Sequence, residues 1–244
     1  MPDCILLLDH GNTRLKYRFA DLSGNVLYGG MVLNEKLPSD FPEYDLRPSA
    51  IVMARSGPDT FAPEEIWPGV KLFVPAPEDF KGISWAYTFP GQLGRDRMAA
   101  MLGAAVLFPD KNLVIADAGT CLTADYLGSD GTHLGGFISP GYRMRLMAMH
   151  TFTGSLPLVP DSIPARPAPG NSTETCMSSG AFGGLLAELD FYFTAEIFHP
   201  GKADVFILSG GDAKDLAHHL KQSTFVADDL IFRGLYQAYA GRFL

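Results

Sequence analysis

Two short segments place a carboxylate, a glycine and a hydroxyl residue directly after an apolar run. Residues 9–16 read DHGNTRLK and follow CILLL, and residues 117–120 read DAGT and follow LVIA. At the end of a strand, such a turn delivers the carboxylate to the sheet edge, and the glycine lets backbone N–H groups point at an anion. One such turn is compatible with an ordinary hairpin corner. Two similar turns predict a duplicated nucleotide-handling domain that holds a phosphate chain between its halves.

The first segment has the residue types of a phosphate loop. Asp9 would hold Mg²⁺ through water, because hard cations prefer oxygen ligands. Gly11 would permit a close backbone approach. Asn12 and Thr13 would donate hydrogen bonds to the phosphates, and Lys16 would place a positive charge beside them. The alternative interpretation is a plain β-turn, in which Asx and glycine are the commonest residues.

A third group of candidates, GRDR at residues 94–97, lies at the start of a predicted helix. Asp96 would act as a general base toward an alcohol, as a placed aspartate commonly does in phosphoryl transfer. Beside it, the guanidinium of Arg97 would grip a carboxylate substrate. The alternative is that Asp96 only caps the helix, which stabilises a helix by ~1 kcal/mol.

The second half carries weaker signals. Asp117 and Thr120 predict a further contact to phosphate or to a cation, with a structural turn as the alternative. The glycine pairs in GGFISPG (residues 135–141) and SGGD (residues 209–212) suggest close backbone approach to a flat ligand such as an adenine nucleoside. A tight turn between strand and helix explains each pair almost as well.

The apolar pattern predicts an α/β chain whose plan restarts in the second half. Strands are expected at 4–9, 16–20, 26–33, 50–54, 71–74, 112–117, 121–126, 204–208 and through Phe137. Helices are expected from about Met98, from about Gly141, over 173–198 and after residue 212. We therefore place a domain boundary near residue 111. The proline-rich segment 157–169 is interpreted as an ordered covering loop.

Bulk composition excludes several function classes. The net charge is −8 and the pI about 5.1, which argues against a nucleic-acid partner, since such a partner requires a basic face. The three cysteines are odd in number and widely spaced, as expected of free thiols in a reducing compartment. The N-terminal apolar run is too short for a signal peptide or a membrane span. We expect a cytoplasmic protein with no membrane partner.

In order and spacing, the motifs resemble those of type III pantothenate kinase, a family of the acetate and sugar kinase, Hsp70 and actin superfamily. The matching patterns are D-x-G-N-T-x-x-K, Y-x-x-P-x-x-L-G-x-D-R, D-x-G-T, G-G-x-I-x-P-G, T-x-x-x-x-x-x-G and S-G-G-D, at residues 9–16, 87–97, 117–120, 135–141, 173–180 and 209–212. Each pattern alone is weak, whereas the ordered set is specific. The resemblance implies two similar ribonuclease H-like domains, an actin-like ATPase fold, with a cleft between residues 1–111 and 112–244.

By that resemblance, the chain would use ATP to phosphorylate pantothenate on its primary hydroxyl, the first step toward coenzyme A. Asp96 would be the general base. Pantothenate would be held by Tyr87, Gly94 and Arg97, the last by pairing with its carboxylate. Thr173 would reach the pantothenate site from the partner subunit, which implies a homodimer.

The resemblance also implies two cation sites. Asp117 would bind a monovalent cation, K⁺ or NH₄⁺. The ATP phosphates and Mg²⁺ would be held by Asp9, Gly11, Asn12, Thr13 and Lys16, with Thr120 as a further ATP contact. Two residues depart from the family pattern, His10 and Cys121, and neither departure removes a catalytic group.

Two other functions are weighed against this one. A non-catalytic accessory or regulatory relative of the same fold would be expected to have lost Asp96, Arg97 or Lys16, and all three are present. A kinase of acetate, a sugar or glycerol would generally be a much longer chain, and the GRDR pattern is not its signature.

Overall fold

Two compact units make up the chain in a computed structural model that describes residues 3–37, 47–57, 59, 61–164, 166–194 and 203–244. The first unit comprises Met1–Leu107 together with Asp229–Leu244, and the second comprises Phe108–Asp228. The second unit is thus one continuous stretch of chain, whereas the first is assembled from two.

The first unit is built on a five-stranded sheet in the order β3-β2-β1-β4-β5. Its strands are β1 Cys4–His10, β2 Arg14–Asp21, β3 Val26–Leu33, β4 Ala50–Arg55 and β5 Lys71–Phe73; a short β6 spans Ser84–Trp85. The first three strands pair antiparallel, and β4 and β5 continue parallel to β1. The continuous apolar sequence of β1 follows from its central place, because every one of its residues is buried.

The second unit repeats this topology. Its strands are β7 Leu113–Ala118, β8 Cys121–Leu127, β9 Thr132–Pro140, β10 Val205–Ser209 and β11 Phe225–Val226. Within this unit they lie in the order β9-β8-β7-β10-β11, with β7, β8 and β9 antiparallel and β10 and β11 parallel to β7. Central strands β1 and β7 therefore occupy equivalent positions, and each ends at a D-x-G sequence.

Helices complete both units. They are α1 Pro63–Ile66, α2 Arg95–Leu107, α3 Tyr142–Thr151, α4 Thr173–Thr194, α5 Ala213–Ala217 and α6 Leu230–Phe243. In the second unit, Leu146 of α3 and Phe182, Leu185 and Leu189 of α4 join the buried side chains of β7 and β8 in one apolar core. In the first unit, α6 packs on β1 and β4 and lies against α2.

Most predicted elements are confirmed. The strands predicted at 4–9, 26–33 and 112–117 are β1, β3 and β7 within one residue at each end, and the helix expected from Met98 is α2. The long helix predicted over 173–198 is α4, which extends through Thr194; residues 195–198 lie outside the described part of the chain. The short elements α1 and β11 were not predicted, because such brief segments carry little periodic signal.

The last helix, α6, belongs to a different unit from the one that the sequence predicts. A boundary near residue 111 assigns α6 to the second domain, whereas the contacts assign Asp229–Leu244 to the first unit. The physical reason is the packing of α6 on α2, a long-range contact that the local apolar pattern does not encode. Among the described residues, no helix is long and apolar enough to cross a membrane.

Candidate functional site

The turn after β1 places a buried carboxylate next to a cation. Asp9 is 7% exposed and lies directly opposite Lys16 in the β1–β2 register. The Lys16 Nζ lies 3.8 Å from Asp9 Oδ2, and the lysine side chain is about one-third exposed. Gly11 N–H donates to Arg14 O at 3.0 Å, which closes the turn, and Asn12 and Thr13 are exposed at its tip. This loop can therefore present a buried carboxylate and an accessible ammonium group to one ligand.

Asn34 holds the loop from the side. Its Nδ2 donates to Gly11 O at 2.8 Å and to Asn12 O at 3.0 Å, and its backbone N–H donates to Thr13 O at 3.1 Å. These three bonds tie the carbonyl oxygens of residues 11–13 to Asn34 and so fix the position of the loop. Asn34 was not predicted, since only the β2–β3 register brings it to this position.

The glycine that close packing requires is Gly57, not Gly11. A Cβ on Gly11 would lie 3.5 Å from Arg14 O, an ordinary contact, whereas a Cβ on Gly57 would lie 2.1 Å from Gly11 O. The Ser56 and Gly57 N–H groups both donate to His10 O, at 3.0 and 2.9 Å. Gly57 therefore permits close packing between two loops of the protein, after β1 and after β4, while the approach of Gly11 to a phosphate stays a prediction.

His10 lies under this loop and is fully buried. The ring lies beside the Asn34 side chain and packs edge-on against Phe61 with centroids 6.1 Å apart. Burial, and secondly the positive charge of Arg55, lower the pKa of His10 below its ordinary value. The ring is therefore a neutral side chain packed beside Phe61 at neutral pH.

The start of α2 brings Asp96 and Arg97 together. Asp96 is half-buried in the first turn, where a helix N-terminus favours negative charge, and its Oδ1 accepts the Arg97 N–H at 2.9 Å. A Cβ on Gly94 would lie 2.4 Å from Asp96 Oδ1, so the glycine makes room for this carboxylate. Arg97 is only 9% exposed, and Tyr87 is half-buried in the preceding connection.

In the second unit, Asp117 ends β7 between Thr123 of β8 and Ser209 of β10. Gly119 N–H donates to Cys121 O at 3.0 Å, and a Cβ on Gly119 would lie 3.2 Å from Asp117 Oδ1. The glycine thus leaves space around the half-buried carboxylate. Thr120 is exposed at the tip of this turn.

The glycine motifs of the second half pack against this turn. A Cβ on Gly141 would lie 2.2 Å from Gly119 O, and one on Gly210 would lie 2.3 Å from Ala118 O. Gly210 also has φ +100°, a conformation that side chains disfavour. Asp212 N–H donates to Ala118 O at 3.0 Å. These glycines therefore serve the tight-turn role, and their close neighbour is the D-x-G-T backbone.

Thr173 is exposed at the first position of α4. The cap of this helix is formed by its neighbours: Thr175 N–H donates to Ser172 Oγ at 3.2 Å, and Ser172 N–H donates to Thr175 Oγ1 at 2.9 Å. The Thr173 side chain is therefore not needed for capping. Of the predicted residues, Asp9 through Arg97 lie in the first unit, and Asp117, Thr120 and Thr173 lie in the second.

The side chains present suit hard cations rather than soft metals. Within the described ranges, no three His, Cys, Asp or Glu side chains converge on one point. Single carboxylates such as Asp9 and Asp117 match Mg²⁺ or K⁺, which complete their coordination with water, carbonyl and phosphate oxygens. A tetrahedral zinc centre would require the convergence that these residues lack.

Several solved structures share this fold. A conserved Baf family transcriptional activator from Campylobacter jejuni matches with a TM-score of 0.60 at 20% identity, over 96% of both chains. A ROK family glucokinase from Streptomyces griseus, solved with glucose and AMPPNP, matches with a TM-score of 0.53 at 12% identity, over 96% of this chain and 97% of that one. At such identities the likeness shows the fold alone, and it confirms the predicted α/β actin-like ATPase class.

Sequence relatives identify the family. The family model for type III pantothenate kinase matches residues 5–194. A type III pantothenate kinase of Flavobacterium johnsoniae is 34% identical over 96% of this chain and 97% of the relative. Another, from Porphyromonas gingivalis, is 41% identical over 145 residues, and the match spans 59% of that relative's length. As its ordered motifs predict, this chain belongs to the type III pantothenate kinase family.

Proposed function

We propose that this protein transfers the γ-phosphoryl group of ATP to the primary hydroxyl of pantothenate, giving 4′-phosphopantothenate and ADP. The observation that carries the proposal is the different surroundings of two carboxylates in the first unit. One carboxylate, Asp9, is paired with a lysine at a clamped loop, while another, Asp96, lies beside an arginine at a helix start. Phosphoryl transfer requires little more than such positioning of charges and a base.

The first loop is the phosphate site in this proposal. Lys16 and the N–H groups of the loop hold the β- and γ-phosphates, and Asn12 and Thr13 add hydrogen bonds. Asp9 holds Mg²⁺ through water, and the ion offsets the negative charge that the phosphates share. The clamp by Asn34 and Gly57 fixes these groups before ATP arrives, so little reorganisation is needed.

The start of α2 is the acceptor site. Arg97 pairs with the pantothenate carboxylate, with Tyr87 and Gly94 beside it. Asp96 takes the proton of the primary hydroxyl as that oxygen forms its bond to the γ-phosphorus, and the bond from phosphorus to the β–γ bridging oxygen breaks to release ADP. Exclusion of water during this step would limit hydrolysis of ATP.

The second unit supplies a monovalent-cation site at Asp117 and a further ATP contact at Thr120. The space that Gly119 leaves beside the carboxylate supports this assignment. We further propose a homodimer in which Thr173 completes the partner's pantothenate site; its exposure and its dispensability for capping support that role. The expected cytoplasmic location is part of the same proposal.

The decisive experiment is Asp96→Asn. Since a general base contributes roughly 10² to 10⁴ in rate, kcat should fall by about 100-fold or more while ATP affinity and the thermal midpoint stay unchanged. Asp110→Asn is the matched control, because Asp110 is exposed, and its φ of 57° suits asparagine. Near wild-type turnover in Asp96→Asn would rule this residue out as the base.

The substrate is tested with the unaltered protein. ADP production should depend on added pantothenate, and glucose, glycerol or acetate at the same concentration should not replace it. The non-catalytic alternative has no supporting observation, and pantothenate-independent or absent ADP production would be required to revive it.

A further inference from the structure

The two helices α2 and α6 cross at an unusually short distance. A Cβ on Gly234 of α6 would lie 1.8 Å from Ala99 O, and a Cβ on Gly103 of α2 would lie 2.2 Å from Leu230 O. Real side chains do not approach backbone oxygens so closely. Glycine is therefore required on both sides of this crossing, which we call the glycine seam, Gly103 and Gly234 with their contacts Ala99 and Leu230.

The seam lies just below the proposed base. Ala99 is three residues after Asp96, about 4.5 Å along the helix at 1.5 Å per residue, so the two share one turn of α2. Ala99 is fully buried, and no solvent gap is present to absorb an added methyl group. Any displacement of Ala99 by α6 is therefore passed to Asp96 and Arg97 with little attenuation.

Helix α6 is fixed on its other sides. Near its end, Arg242 Nη1 lies 2.6 Å from Asp79 Oδ1, and this carboxylate is 5% exposed. Tyr236 OH donates to Leu22 O at 3.0 Å, and the Arg18 guanidinium lies 4.8 Å from the centre of the Phe232 ring. When an added methyl group overfills the seam, we therefore expect α2 rather than α6 to shift.

We infer that Gly234 and Gly103 are positioning residues for the phosphoryl-transfer step, since they set the depth at which α2 presents Asp96 to the acceptor hydroxyl. The inference rests on the proposed function, in which Asp96 is the base. It assigns a kinetic role to a helix that carries none of the motif residues. The backbone oxygens that the two added Cβ atoms would meet, those of Ala99 and Leu230, lie outside the phosphate loop after β1, so ATP binding should change much less than kcat.

The test compares three alanine variants. Gly234→Ala and Gly103→Ala fill the seam, whereas Gly241→Ala is the matched control in the same helix as Gly234, since its Cβ would lie 3.6 Å from Lys81 Cδ, an ordinary contact. Helix propensity alone favours alanine over glycine at all three positions. Loss of function in the seam variants therefore cannot come from the helix itself.

We expect kcat to fall by about 10- to 100-fold in Gly234→Ala, the cost of misplacing a reacting group by roughly 1 Å. The Kd for ATP, measured by calorimetry well below the thermal midpoint, should stay within twofold of the wild type. Gly241→Ala should match the wild type in both. A folded Gly234→Ala with wild-type kcat, or one whose ATP affinity falls in proportion to its kcat, would overturn the inference.

Gly103→Ala carries the same test if Gly234→Ala does not fold. Its contact lies farther from Asp96, so a smaller fall in kcat at unchanged ATP affinity is expected, and wild-type kcat in the folded variant would be a contradiction. Asp96→Asn distinguishes a failure of the proposed base from a failure of the seam inference. If that variant keeps its turnover, the proposed base is wrong; if it loses turnover but both seam variants do not, only the seam inference fails.

Discussion

The two D-x-G loops occupy equivalent places in equivalent sheets, yet they are held and charged differently. After β1, an asparagine side chain and Gly57 hold the loop; after β7, the backbone at Gly141 and Gly210 does so. Opposite Asp9 in the strand register is Lys16, and at the corresponding place opposite Asp117 is the neutral Thr123. The duplicated turn has thus diverged both in the residues that hold it and in the cross-strand neighbour of its aspartate.

Under the proposed function, these differences would let the two loops hold different ions. A carboxylate next to an ammonium group is locally neutral, and the pair can accept a polyphosphate with its magnesium. Thr123, the residue opposite Asp117 in the register, adds no positive charge, which suits the small-cation site that we propose there. The difference therefore supports an assignment of anion handling to the first loop and cation handling to the second.

Lys16→Thr tests the comparison most directly, because it places opposite Asp9 the residue type that lies opposite Asp117. We expect kcat/KM for ATP to fall by roughly 100-fold, the usual cost of removing one charged donor from a phosphate site. Lys111→Thr, an exposed lysine of the second unit, should have no effect. Steady-state kinetics at varied ATP will check this, and retained ATP efficiency in Lys16→Thr would remove the first loop from the phosphate site.

Asp117→Asn tests the other side of the comparison. The half-saturating concentration of K⁺ should rise by at least about tenfold, since weaker changes around metal ligands already cost that much. The ratio of the rates in K⁺ and Na⁺ should move toward one. Asp9→Asn is the matched control in the first unit: it should impair the use of Mg²⁺ and ATP and leave the K⁺-to-Na⁺ ratio alone. An unaltered response to K⁺ in Asp117→Asn would contradict the assignment.

Asn34→Ala removes the side-chain clamp that the second loop lacks. Loss of the two side-chain hydrogen bonds to Gly11 O and Asn12 O should weaken ATP binding by about 3- to 10-fold, because only part of the roughly 1 kcal/mol that each bond contributes is passed on to the ligand. Asn25→Ala, an exposed asparagine in the turn between β2 and β3, is the control and should bind ATP normally. Calorimetric titration distinguishes the two, and equal affinities would show that the clamp is not needed.

The smallest expected effect concerns His10. The corresponding residue of the second loop is Ala118, which has no titratable group. The pKa of His10 is lowered on folding, so below the ordinary value of 6.5 the unfolded chain binds the proton first. Stability should therefore fall as pH drops from 6.5 toward the folded-state pKa, by up to about 1.4 kcal/mol per pH unit.

His10→Leu should flatten that part of the profile of unfolding free energy against pH, as measured by urea denaturation between pH 5 and 7.5. His218→Gln, a change at an exposed histidine, should leave it as in the wild type. A profile with the same slope in His10→Leu would mean that other groups set the acid limit of stability.

Residue types and apolar runs predict the parts of the molecule that are local in sequence. The runs before Asp9 and Asp117 give central strands of both sheets, and the spacing after Gly94 gives α2 with Asp96 in its first turn. The sequence does not predict the roles of Asn34 and Gly57, because these depend on strand register, which brings together positions far apart in the chain. The same reason hides the close packing of Gly57 against Gly11 O, which the local sequence around Gly11 does not indicate.

The grouping of α6 with the first unit has a consequence for biosynthesis. Every residue of the second unit is translated before the helix that completes the first, so the second can close on its own while the first waits. Until Leu230 and Gly234 emerge from the ribosome, the apolar side of α2 has no partner and is a target for chaperones. A pulse of protease on stalled nascent chains should thus cut the earlier-made half more readily than the later one.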